Sequence, residues 1–401
     1  MLSEQKEGLM QRRLMGLPLA IATGFLSLLV HGCSGGHQDV VPPQPLPNKT
    51  VTLGPQQTLL PDGSFGLEAF PDEAVAVIQR VPTWKMLVAS GISTYLLEGT
   101  SLLNITSARL VLWPGDPGSF DNGYAGSAGA YLHTGGKLYM IYHGEDQEGM
   151  PPLAGGTGIP GFYASVGLAV SSDNGDTWEK LGPVITSNKP KEWTYYEGQD
   201  SRGAGVPSLV KEKTGRYLYL YYTEFSRVGG RGVQVCLARC DIQQNAPTPG
   251  TWKKYYAGDF GEPGIAGLDT VVMSALDMNQ GEAMMAHVVY SNLLQKYVMV
   301  FNIDCWRELS NNGTPQTTGM YISYSTDGIV WSKPEALFID YCIAQMGKSL
   351  SWEPTIIWDD DTDQTGWLVY GYTEHWGYHY NNSGNTHYMV GRRISFTTPA
   401  S

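Results

Sequence analysis

The chain has 401 residues, a formal net charge of −12 and a charged fraction of only 16%, with 49 Gly, 24 Pro and 24 Tyr. Turn formers and strand-favouring aromatics are abundant and helix formers are scarce, which points to β structure, and single all-β domains reach twice the ordinary domain length. After Arg12 and Arg13 there is no Lys/Arg run, so the attraction that drives phosphate-backbone binding is missing and nucleic acid is not an expected partner.

At the N-terminus, Arg12 and Arg13 precede an apolar run that ends in Leu29-Val30-His31-Gly32-Cys33. This is the pattern of an export signal, and its end resembles the lipobox of bacterial lipoproteins, in which the Cys is lipidated and becomes the mature N-terminus. Residues 1–33 are therefore expected to be a signal peptide, with Cys33 as the lipidation site. The Gly- and Pro-rich stretch that follows, including Val41-Pro42-Pro43-Gln44-Pro45, has the composition of a solvated tether over 34–66. The folded domain is expected over 67–401, as a monomer in the cell envelope whose contact with the membrane is the lipid.

Four cysteines, Cys236, Cys240, Cys305 and Cys342, remain in the exported body. An even number in an oxidising compartment admits disulfides in three connectivities. Cys236 and Cys240 fall on one strand and are too far apart to pair with each other. No nearby His completes a zinc site.

The body carries a recurring pair of strands. The copies are Ala74–Ile78 with Trp84–Val88, Ala130–Leu132 with Leu138–Tyr142, Val206–Val210 with Tyr217–Tyr222, His287–Tyr290 with Tyr297–Phe301, and Glu353–Trp358 with Trp367–Tyr372. Each is followed by a second pair, as at Val166–Ser171 and Gly319–Tyr324. Four strands per unit, repeated radially, predict a five-bladed β-propeller. Two turns within the second pairs, Ser171–Trp178 and Ser325–Trp331, follow the Asp-box pattern, a hairpin in which Asp bonds turn amides and Trp tucks into the blade. Their role is structural.

In an antiparallel blade the second-to-third and blade-to-blade connections share one face, and here that face receives the long loops, the usual architecture of a binding or catalytic site. Carboxylates gather there: Asp116, Asp121, Glu197, Asp200, Asp269, Glu282 and Glu353 before first strands, and Glu145, Asp146, Glu224, Asp304 and Glu374 after second strands. Glycoside hydrolysis needs one protonated carboxyl and one ionised carboxylate about a sugar, which such a ring can supply. Arg202, His143, Glu224, His287, Trp352, Glu374 and His375 are candidate substrate contacts, with Trp352 offering a flat ring for sugar stacking. The acidic run Asp359–Asp363 lacks the Gly and Glu of an EF-type calcium loop, so it reads as a solvated hairpin. No metal or cofactor is expected.

Gly205–Val210 before a Tyr-rich strand, Trp352-Glu353-Pro354 and Ser325–Trp331 give the body a resemblance to the five-bladed propeller glycosidases, namely glycoside hydrolase families 43, 32 and 117 and the endo-arabinanase propellers. The resemblance implies an Asp base, a second Asp that tunes pKa, and a Glu acid, all carried by inner strands. Asp121, Asp200 and Glu353 are the positions that correspond, with Glu197 competing as the acid and Asp116 as the base. The sequence departs from the pattern in placing Glu353 in the fifth unit and in having no Asp-Pro step before Ala74. The expected activity is hydrolysis of a furanose-containing or other neutral glycan. A non-catalytic glycan- or protein-binding propeller is the alternative of another class. A sialidase is favoured by the Asp box and disfavoured by sparse Arg and the lack of an Arg-Ile-Pro step.

Overall fold

A computed structural model describes residues 44–45, 50–151, 160–192, 201–226, 233–274, 282–304, 318–341, 348–375 and 387–397. Unit 40–401 is described here, and within it the described residues form strands linked by turns and loops. Cys33, Glu197 and Asp200 lie outside the described residues, as do Cys305 and Cys342.

Strand β1 (Val51–Leu60) comes first, followed by the meander β2 (Ala76–Gln79), β3 (Trp84–Ser90), β4 (Ser93–Ser101) and β5 (Asn104–Leu112). A second meander is β6 (Tyr124–Leu132), β7 (Leu138–Asp146), β8 (Phe162–Ser171) and β9 (Glu179–Thr186). The third is β10 (Ser201–Lys211), β11 (Tyr217–Glu224), β12 (Gln234–Asp241) and β13 (Trp252–Tyr256), extended by β14 (Asp259–Pro263) and β15 (Val271–Met273). The fourth is β16 (Glu282–Ser291), β17 (Lys296–Asp304), β18 (Gly319–Ser325) and β19 (Glu335–Ile339), and the chain closes with β20 (Leu350–Trp358), β21 (Thr365–Thr373) and β22 (His387–Phe396). The second and third meanders join into one ten-stranded sheet through a short parallel pairing of Ser201–Gly203 with Phe162–Ala164.

The first two strands of each repeat read from the sequence are the first two strands of a meander. Residues 51–60 differ from expectation. They were assigned to the tether, yet they form β1, which pairs antiparallel with β22 from Val51↔Phe396 onward and completes the last meander as its outer strand. Pairing with an otherwise unpaired edge outweighs a local composition poor in strand formers, because an uncovered ladder is a liability in any sheet.

The apolar cores follow the same order. Met86, Leu97 and Val369 belong to a core between the last meander and the first, and Leu87, Met140 and Tyr142 to one between the first and second. Further cores lie between the second and third, the third and fourth, and the fourth and last. Middle strands are therefore buried on both faces: β7 reads Leu-Tyr-Met-Ile-Tyr-His-Gly without an exposed residue. This is why the repeats appear in sequence as continuous apolar runs rather than as an alternation. The first strands of all five meanders line one cavity of about 380 Å3, to which Val77, Ala128, Leu209, His287 and Thr355 contribute.

The two Asp boxes sit at the β8–β9 and β18–β19 turns and clasp the preceding meander. In the first, the Asp173 carboxylate accepts from the Thr177 N–H at 2.9 Å and the Thr177 hydroxyl at 2.6 Å, which holds it down to about 2. Asn174 of that turn donates to Gln79, and Asp176 pairs with Lys85 and Arg109 of the first meander. In the second, Asp327 accepts from the Ile329 and Val330 amides, and the Gly328 carbonyl accepts from the Tyr221 hydroxyl of the third meander at 2.7 Å.

Cys236 and Cys240 are both buried and lie four residues apart on β12. The two pack in the core between the second and third meanders, and burial pushes the Cys240 thiol up, as for an inert apolar side chain.

Candidate active site

First strands share a local device. In β10, β16 and β20 the register slips so that two residues oppose one: Val206-Pro207 face Tyr222, Met285-Ala286 face Phe301, and Glu353-Pro354 face Tyr370. Val206, Met285 and Glu353 all have φ near +50°, at 46°, 56° and 54°. That left-handed conformation is unfavourable for a side-chain-bearing residue and persists only where the surroundings over-determine it. Of the three positions, only the one in β20 carries an ionisable side chain.

Glu353 is 3% exposed. Burial, then the charges of Glu73 and Asp72, push its carboxyl well above the ordinary range. Glu73 is 1% exposed and is pushed well up by burial and by Asp72 and Glu145. Asp72 and Glu145 are partly exposed, and burial raises each to about 7. All four titrate as a group because each loses hydration and shares a small volume with other carboxylates.

Two neutral side chains complete the group. The Tyr124 hydroxyl, at the start of β6, donates to the Asp72 carbonyl at 3.0 Å, and its ring meets His143 edge-on at 5.4 Å. His143 Nδ1 lies 2.6 Å from Glu73 Oε1. Burial lowers the imidazole pKa, with Glu145 acting against it, which favours the neutral ring. Among the described residues, His143 Nε2 and Glu73 Oε2 are buried without a hydrogen-bond partner. Nε2 is 3.8 Å from Glu145 Oε1. Buried polar atoms of this kind are uncommon and mark places where something else bonds. Gly205 makes room for the ring: a Cβ there would stand 2.8 Å from His143 Nε2 and 2.9 Å from the Ala164 Cβ.

A second acidic group lies at the third meander. Glu224 Oε1 accepts from the Ser226 N–H at 2.8 Å, and Oε2 is buried without a partner among the described residues. Burial and Asp269 push Glu224 up to about 7, while Lys254 holds it back. Lys254 is fully buried and donates to the carbonyls of Thr186 and Gly267 at 2.7 and 2.9 Å, with Asp269 at 3.4 Å. The Tyr222 hydroxyl also donates to Asp269, at 3.2 Å.

The other expected site residues are placed as follows. Asp121 is buried, with Lys180 at 2.5 Å and the Tyr142 hydroxyl at 3.0 Å. Tyr142 and His143 project to opposite faces of β7, so Asp121 stands behind the strand from the Glu73 group. Arg202 is buried in the short parallel pairing of β10 with β8. His287 Nδ1 accepts the Ile356 N–H at 3.2 Å while burial lowers its pKa to about 4. Trp352 is buried and meets His387 edge-on at 5.5 Å, its ring lying where a Cβ on Gly371 would intrude. Glu374 and His375 are partly exposed just past β21.

Asp72, Glu73 and Tyr124 are the members the sequence reading did not single out. Their signal is Pro71-Asp72-Glu73, an acidic step directly ahead of the first repeat as Glu353 opens the last, with the Asp after the Pro where the family pattern has it before. Among the described residues no group of His, Cys, Asp and Glu is arranged to hold a metal ion.

By sequence the chain matches no protein-family profile and no curated protein. Solved structures do match. An α-L-arabinofuranosidase from Lactobacillus brevis superposes over 82% of this chain and 92% of its own, with a TM-score of 0.53 at 9% identity. A family 117 glycoside hydrolase of the marine bacterium Zobellia galactanivorans covers 86% and 90%, with a TM-score of 0.50 at 13% identity. The chain has the fold of the propeller-type glycoside hydrolases.

Proposed function

We propose that the successive meanders are five blades about one axis, and that the chain is a glycoside hydrolase held at the bacterial cell envelope by a lipid on Cys33. The observation that carries this reading is the group Asp72, Glu73, Glu145 and Glu353, in which burial and mutual repulsion keep carboxyls protonated near neutral pH. A glycosidase needs such a proton for the departing oxygen, and a second carboxylate near pH 7 to take one from water. Glu353, deeply buried and pushed highest with Glu73, is the general acid. Asp72, partly exposed and near 7, is the base that meets water. Glu73, bonded to His143, supports both by holding the imidazole in place beside them.

Asp121, with a cation and a phenol already bonded to it, is better suited to hold β6 against β7 and β9 than to donate a proton. Glu197 and Asp200, which precede β10 in sequence, remain candidate contacts. Glu224, with its open oxygen, is a candidate for a sugar hydroxyl, as are Trp352, Glu374 and His375 at the same ends of their strands. The substrate class is a neutral furanose-containing glycan, a reading supported by the matched arabinofuranosidase fold and by the acidic site, which repels anionic sugars.

The test is to incubate the protein with arabinans, fructans and agar oligosaccharides and to measure new reducing ends, alongside Glu353→Gln. Turnover by the parent and a loss of about 10²- to 10⁴-fold in the variant are expected, the range for a removed acid–base group. Equal turnover in both removes Glu353 from the mechanism. Glycan binding without turnover in either favours the non-catalytic alternative.

A further inference from the structure

Glu353 is on β20, while Asp72 and Glu73 stand in the segment just before β2, a strand of a different sheet, so no backbone ladder fixes their separation. A side chain does. The Thr355 hydroxyl oxygen accepts the Val75 N–H at 2.9 Å, with both residues buried. Thr355 is two residues past Glu353 and Val75 two past Glu73. At the far end of β20 the strands meet again, where Arg80 donates to the Trp358 carbonyl at 2.7 Å, but that contact is exposed and remote from the carboxylates.

The same tie recurs between other first strands. Ser208, two residues past Val206, accepts the Val288 N–H at 2.9 Å, and His287, two past Met285, accepts the Ile356 N–H at 3.2 Å. The acceptor therefore stands two residues after the left-handed position, and the donor three residues after its counterpart in the next meander. Counting three back from Val75 gives Asp72. Asp72 and Glu353 are thus equivalent positions of adjacent repeats, and the chain His287–Ile356–Thr355–Val75 runs from β16 through the acid-bearing β20 to the segment before β2 that carries Asp72 and Glu73.

We propose that Thr355 is the positioning residue that sets the spacing between Glu353 and the Asp72–Glu73 pair. This rests on the reading of those carboxylates as the reacting groups. The left-handed turn at Glu353 is followed by Pro354, which has no N–H to anchor it. The first fixed point after the bulge is therefore Thr355, and a rotation there swings Glu353 relative to Asp72. Small errors in the placement of reacting groups cost about 10²-fold in rate.

Three proteins decide it: the parent, Thr355→Ser, which keeps the hydroxyl, and Thr355→Val, which keeps the shape and removes the acceptor; Thr355→Ala replaces Thr355→Val should the latter fail to fold. With 4-nitrophenyl α-L-arabinofuranoside or the active member of the glycan panel, Thr355→Val is expected to lower kcat by about 10- to 100-fold with KM nearly unchanged and to move the pH–rate profile, while Thr355→Ser keeps both at the parent's values. Hydrogen exchange in the peptide containing Val75 should speed up in Thr355→Val alone, and in ¹³C-glutamate-labelled protein the Glu353 titration, identified by Glu353→Gln, should move in Thr355→Val alone. Parent-like titration and pH–rate profiles in Thr355→Val overturn the proposal even if exchange at Val75 increases. If Glu353→Gln keeps full turnover, Glu353 is not the acid, and if neither protein turns over any glycan the hydrolase reading fails; in both cases the Glu353 titration still decides whether Thr355 sets the spacing.

Discussion

The two buried acidic groups differ in what faces them. At the third meander Glu224 has Lys254 nearby, itself fixed by two backbone carbonyls, and the carboxyl rises only to about 7. At the junction of the first and last meanders, burial and then the carboxylates of Glu73 and Asp72 push the Glu353 carboxyl well above its ordinary range. Burial is common to both groups; what differs is that a cation opposes the rise at Glu224, while carboxylates add to it at Glu353.

The comparison can be broken most directly at its two carboxylates. Glu73→Gln should lower kcat by about 10²- to 10⁴-fold, whereas Glu224→Gln should act mainly on KM; steady-state kinetics on the active glycan separate them, and equal kcat losses would put both groups in one catalytic centre. Removing the cation is next. Lys254→Met removes the cation beside Asp269 and the donor to two backbone carbonyls and should cost about 3–5 kcal/mol in urea unfolding, with Lys254→Met/Asp269→Asn recovering part of it.

A pH series sharpens the contrast. Asp72 and Glu145 rise from 3.8 and 4.5 to about 7 in the folded state. Between about pH 4.5 and 7 the folded protein therefore keeps protons that the unfolded chain has released, and their contribution to stability is present at the acid side and lost as pH rises. His287 and His387, held neutral down to about 4, work in the opposite direction between about 4 and 6.5. Comparing Glu145→Gln with the parent isolates the carboxyl part: the variant should gain stability relative to the parent as pH rises from 5 to 8, measured as Tm. The smallest effect is expected far from either group. Asp173→Ala should cost about 1–2 kcal/mol through lost turn bonds and leave kcat unaltered.

Repetition made the strands legible. Apolar middle strands such as β7, β11, β17 and β21 pack on both sides and so stand out as unbroken runs, and the Asp boxes announce their hairpins by residue type alone. Glu353 was readable because an acid directly before an apolar strand has to be buried with it. The Asp72–Glu73 pair was harder, since its strand β2 is short and the signature lies just outside it. Nor could sequence reveal the left-handed turn at Glu353, which depends on a two-against-one register with β21, or the role of His287, whose partner Ile356 is in the next meander. β1 escaped notice because its strand character comes from the edge of β22 and not from Val51-Thr52-Leu53-Gly54-Pro55. Asp121 looked equivalent to Glu353 by position, and only three-dimensional contacts with Lys180 and Tyr142 separate them.

The pairing of β1 with β22 continues into the flanking residues, where the Thr397 N–H donates to the Thr50 carbonyl at 3.0 Å. The beginning and the finish of the folded segment are therefore neighbours, and the order in which the repeats are translated carries no structural information. A gene rearranged to start at the exposed hairpin around Gly135-Gly136, with a few residues bridging Thr397 to Thr50, should encode the same architecture.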